Sequence, residues 1–124
     1  MSSFANRNNI INRVSAADLS AAANLYRAVK ATSDTEINLA GAGERALGFL
    51  DNQPNTGDVA EINSNGGGSN AVSAATLAVN VELMSDANGE MVAATTGLFV
   101  IAISMQASVA GDIFEVLPVL YQKN

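Results

Sequence analysis

Gly57-Asp58-Val59-Ala60-Glu61-Ile62 recurs 54 residues later as Gly111-Asp112-Ile113-Phe114-Glu115-Val116. Working outward, the match extends without a gap over Leu25–Ile62 and Val79–Val116, with six identities in 38 aligned pairs. Glu36 falls on Glu90, Ala40 on Ala94 and Gly43 on Gly97. Apolar positions coincide as well: Val29 with Leu83, Ile37 with Met91, Leu47 with Ile101, Phe49 with Ile103, Val59 with Ile113 and Ile62 with Val116. Shared apolar spacing is the mark of a folding unit used twice.

Within each copy the pattern is that of strands and turns. Glu36-Ile37-Asn38-Leu39-Ala40 alternates, and Leu77, Val79, Val81 and Leu83 line one face of Leu77–Met84. Asn88-Gly89 supplies the positive φ angles of a tight hairpin. Leu25–Ala31, Ala46–Leu50, Val59–Asn63, Glu90–Thr95, Leu98–Met105 and Ile113–Tyr121 complete about eight short strands, spaced roughly 8–12 residues apart. Pro118 suits an edge or a bulge. Gly57-Asp58 and Gly111-Asp112 are structural turns: the glycine lets the chain reverse and the aspartate bonds backbone N–H groups. The expected fold is mainly β, a small β-barrel or sandwich built from two similar β-meander halves, one barrel or two being left open.

Before the repeats, residues 1–14 form an extended N-terminal arm, either frayed or gripping a neighbour. Ser15-Ala16-Ala17-Asp18 fits a capping box and predicts a short helix over Ala16–Ala23. Residues 15–124 form a single β-rich domain, with pseudo-repeats 25–62 and 79–116 joined by a Gly/Ser/Asn-rich linker over 63–76.

Composition narrows function mainly by exclusion. The 124 residues carry no Cys and no His, which removes the commonest nucleophile partners and metal ligands. A net charge of −6 makes the chain a poor neutraliser of phosphates, so no nucleic-acid partner is expected. Only 15% of residues are charged, against a usual share of about 25%. Asp58 and Glu61 lie three apart on a strand and point to opposite faces, which is no acid–base arrangement. Asp86–Glu90 lacks the full calcium-loop pattern, and the Gly-rich segments lack the Lys-Ser/Thr of a phosphate loop. No catalytic, cofactor or metal residue is assigned, and the expectation is a non-enzyme. The first residues have no apolar h-region, and the longest apolar run, near Leu98–Met105, is short of a membrane span. The protein is expected to be made and used without crossing a membrane.

Several runs resemble the small capsid decoration (cement) proteins of tailed bacteriophages. They are Asp18-Leu19-Ser20, Tyr26-Arg27-Ala28-Val29-Lys30, Leu39-Ala40-Gly41-Ala42-Gly43-Glu44, Leu47-Gly48-Phe49-Leu50 and Gly57–Ile62. In the second half they are Leu77–Glu82, Asp86–Gly89, Ala93–Gly97, Ala102 and Ala110–Val116. The resemblance covers about 100 residues, and its motifs are turn chemistry and apolar spacing. It departs at Ala102, where a glycine matching Gly48 would be expected.

The resemblance implies a β-rich virion protein on the outer capsid surface, made in the host cytoplasm, often a homotrimer. Its partners would be the major capsid protein and its own copies. Contact candidates are Phe4, Arg7, Ile10, Ile11, Arg13 and Val14 of the arm, with Leu120 and Tyr121 of the chain end. The rival reading is a β-rich tail- or fibre-associated adhesion module, which would need exposed aromatics, and the chain has six aromatics in all. A ligand-binding or enzymatic barrel is the third, and the lack of His and Cys counts against it.

Overall fold

A computed structural model describes residues 10–64 and 68–124. Among the described residues ten strands are present: β1 (Ile10–Ser15), β2 (Ala28–Ala31), β3 (Glu36–Leu39), β4 (Gly48–Leu50), β5 (Val59–Asn63), β6 (Ser69–Val72), β7 (Glu82–Ser85), β8 (Met91–Ala93), β9 (Phe99–Ser104) and β10 (Ile113–Gln122). The mainly β expectation holds. β1–β5 form a closed barrel in the order β1-β3-β2-β4-β5. β6–β10 form a five-stranded sheet in the order β6-β10-β9-β7-β8.

The two orders are the same order. Replacing β1, β5, β4, β2 and β3 by β6, β10, β9, β7 and β8 turns one into the other. β1 closes the first barrel by a parallel pairing with β3 at Ser15–Ile37, and a parallel bridge between Ser73 and Met91 ties β6 to β8 in the same place. The Ala16 N–H donates to Ile37 O at 2.8 Å, and the Ala74 N–H donates to Met91 O at 2.9 Å.

Each half keeps its own apolar interior. Leu19, Val29, Ile37, Leu50, Ala60 and Ile62 fill the first barrel. Leu77, Leu83, Met91, Ile101, Phe114 and Val116 fill the second sheet's interior, which Ala28, Ala40 and Phe49 of the first half extend across the junction. Burying a Phe side chain is worth about 1.5–3 kcal/mol, so Phe49 makes the junction favourable, with the two alanines adding less. Val59 and Ile113, matched in sequence and both apolar, are instead more than half exposed (56% and 59%). Strand alternation turns them outward while Ala60, Ile62, Phe114 and Val116 point in.

Four local expectations are corrected. Ile10–Val14, expected in a loose arm, make up most of β1 and pair with β5 from Ile10–Asn63 to Val14–Val59. The helix over Ala16–Ala23 is replaced by one 3₁₀ turn at Ala22–Asn24. Ser15 caps no helix: its hydroxyl donates to the Ala17 carbonyl at 2.7 Å, and its backbone is tied to the Gly57-Asp58 turn by two bonds of 2.9 Å. The 63–76 linker contains β6, whose Ser69 and Ala71 are buried against β10. The strands expected from Leu25 and Leu77 begin only at Ala28 and Glu82, because Tyr26 (φ 68°) and Asn80 (φ 64°) are left-handed. Pro118 lies in β10 opposite Ala102 of β9, beside a register shift, which is the bulge expected of a proline there.

Candidate interaction surfaces

The Gly-Asp turns rest on paired geometry. Asp58 Oδ2 accepts from the Asn55 N–H at 3.3 Å, and Asp112 Oδ2 accepts from the Val109 N–H at 2.9 Å. Gly57 (φ 86°) and Gly111 (φ 92°) occupy the left-handed region that glycine tolerates. These side chains are spent on the turns. Among the described residues no three His, Cys, Asp or Glu side chains gather as a metal site.

Of the contact candidates, Phe4 and Arg7 lie outside the described residues. Ile11 packs against the first barrel's core, so that side chain is turned inward. Val14 is half-buried and stands opposite exposed Val59 on the outer face. Val72 stands opposite Ile113 at the corresponding place in the second half. Sequence reasoning missed this outward pair of apolar steps, one per half. Arg13 is exposed and donates to the Asn12 carbonyl. Leu120 and Tyr121 are both exposed, at 53% and 42%.

A groove of about 710 Å³ lies at the junction of the halves. Ala42, Ala46, Leu47, Leu98, Phe99 and Leu120 make it largely apolar. Lys30 donates to both oxygens of Glu44, at 2.8 and 3.1 Å. The Lys30 ammonium, then the Gly41 N–H, hold the Glu44 carboxyl below its usual range. Arg45 stacks over Phe99 with its guanidinium carbon 4.8 Å from the ring centre. No carboxylate pairs with Arg45 among the described residues, so the groove carries an unneutralised cation on an otherwise acidic molecule.

The junction itself is polar as well as apolar. The Ala28 N–H donates to Gly89 O at 2.8 Å and the Gly43 N–H to Ser85 O at 2.9 Å. Arg27 pairs with Glu90 at 3.0 Å, both side chains about four-fifths buried. Gly89 must be glycine here: its φ is 82°, and a Cβ would come within 2.9 Å of the Ala28 oxygen.

No protein-family model matches the chain, and no curated protein matches it. Among solved structures, the chain is similar to the N-terminal base of the head fibre gp8.5 of bacteriophage phi29. The TM-score is 0.71 at 12% identity, over 93% of this chain and 97% of that one. At this identity the likeness is one of fold.

Proposed function

We propose that the chain is a structural protein of a phage virion that binds the outer capsid surface and reinforces the shell by bridging capsomers, as a homotrimer. The observation that carries this reading is the likeness of fold, along nearly the whole of both chains, to the base of a phage head fibre. Composition supports it. A cement protein needs no chemistry, only interfaces, and low charge with outward apolar steps at Val14–Val59 and Val72–Ile113 provides them. Many modest sites on one lattice add by multivalency, so no single contact has to be strong. The partners are the major capsid protein and further copies of this chain. Heating DNA-filled heads with and without bound protein tests the reinforcement: bound protein raises the temperature of genome release.

A second reading is favoured by the same likeness, since that neighbour is the base of a head fibre. Here the chain is the base by which a projecting fibre is attached to the head. Under it, heads still bind the protein, and their release temperature does not change.

A further inference from the structure

The second half carries a duplicate of the face on which the two halves meet. Gly43 is central to the existing joint: its N–H donates to Ser85 O at 2.9 Å and its carbonyl accepts from the Phe99 N–H at 3.1 Å. The corresponding residue, 54 positions on, is Gly97. Its N–H donates to Lys123 O at 2.8 Å and its carbonyl accepts from Gln122 Nε2 at 2.8 Å. The same two backbone groups are satisfied in both halves, in one by a neighbouring unit and in the other by the chain's own end. The end is fastened further. The Lys123 N–H donates to Leu98 O at 2.9 Å, the Tyr121 hydroxyl donates to Glu82 Oε2 at 2.7 Å, and the Lys123 ammonium pairs with Glu82 Oε1.

We infer that Tyr121–Lys123 are an intrachain plug on a second docking face, and that the partner this face fits is the β2–β3 hairpin of another copy of the chain. The hairpin that fills the first face is β7–β8, with Ser85 and Gly89 buried against it. Its counterpart, Ala31–Glu36, is exposed at every residue; among the described residues it hydrogen-bonds to nothing in the second half, and the Val14 N–H of its own half donates to Thr35 O at 2.8 Å. Each chain therefore holds one used joint, one free hairpin and one plugged face. The free hairpin fits less completely than the used one. Thr35 stands where Gly89 passes close to Ala28, and the face has Val81 where Arg27 meets Glu90. A released face is thus a weak, heterologous site, and the plug suppresses head-to-tail addition of copies.

The test keeps the chain at full length. Lys123→Glu sets two carboxylates against each other. It is expected to raise amide exchange at Gly97 at least tenfold while the Gly43 amide keeps its protection. Sedimentation velocity then shifts, with rising concentration, to species larger than those of the parent. Combining Lys123→Glu with Glu82→Lys restores an opposite-charge pair and returns both readouts to the parent values. Thr35→Gly, added to Lys123→Glu, strengthens the association by removing the side chain that fits worst. A Gly97 amide as protected in Lys123→Glu as in the parent overturns the inference. So does a released chain that sediments as the parent at every concentration.

Discussion

Ser15 and Ser73 occupy matching positions, one in the first barrel and one in the second sheet. Each is fully buried at the end of a strand, and each hydroxyl donates to the carbonyl two residues on, Ala17 or Ala75, at 2.7 Å. Each N–H donates to the Asp of a Gly-Asp turn and each carbonyl accepts from its Gly, at 2.8–2.9 Å. The serines therefore anchor the turns that the sequence repeats. Ser73 has one bond more, because the Ser108 hydroxyl donates to it at 2.9 Å. Ser15→Ala is expected to cost about 1 kcal/mol and Ser73→Ala about 2, since the second leaves a buried hydroxyl without its acceptor. Urea denaturation of both variants checks the order, and equal costs would contradict it.

Gly48 sits where β4 crosses β5, and a methyl there would run into the Asn63 carbonyl. The counterpart in β9 is Ala102, which is buried and faces Pro118 of β10. Gly48→Ala is expected to destabilise by about 3 kcal/mol, whereas Ala102→Gly costs about 1, through lost packing and added chain entropy. Thermal melts of the two variants separate these cases.

Arg27 and Glu90 join the halves across a mostly buried setting, and Arg27 also donates to Asn24 Oδ1 at 3.2 Å. A double-mutant cycle with Arg27→Met and Glu90→Gln is expected to give a coupling of about 1 kcal/mol. A coupling near zero would mean that the apolar contacts around Phe49 and the backbone bonds of Ala28 and Gly43 hold the junction without the ion pair.

The Glu82 carboxyl is held below its usual range by the Lys123 ammonium first and the Tyr121 hydroxyl second. Its folded pKa is lowered, so the stabilisation is fully present above the ordinary glutamate value of about 4.3 and is lost as pH falls through the folded value. The same bond raises the Tyr121 phenol, whose contribution is present below the ordinary tyrosine value and is lost as pH rises through the raised one. Glu82→Gln is expected to remove both trends: the stability difference from the parent shrinks below about pH 4 and above about pH 10. A difference constant with pH would contradict it.

Much of this architecture is written in the sequence, and the residues say why part of it is not. The 54-residue offset aligns β2–β5 with β7–β10, because apolar alternation and Gly-Asp turns leave a direct trace. β1 and β6 escape that offset. Val14-Ser15-Ala16-Ala17-Asp18-Leu19 corresponds to Val72-Ser73-Ala74-Ala75-Thr76-Leu77 at a spacing of 58. The four extra residues of the first copy hold the 3₁₀ turn at Ala22–Asn24. The match marks the two segments as equivalent, but neither carries the apolar alternation that identifies a strand. Tyr26 and Asn80 were illegible for another reason: neither residue type announces a left-handed backbone as glycine does. At the surfaces, Val59 and Ile113 are apolar and matched, and strand parity sets them on the face opposite Ile62 and Val116, but parity alone does not say which face meets solvent. The groove around Arg45 and Phe99 draws on residues 54 apart and on the docking of the halves, which no local pattern encodes.

The proposed attachment to a phage head is tested by sedimenting purified protein with heads that lack surface decoration. The expected result is saturable co-pelleting at a fixed number of copies per head, with the protein alone staying in the supernatant. Protein that remains in the supernatant with heads present, at every concentration up to the micromolar range, would contradict the account.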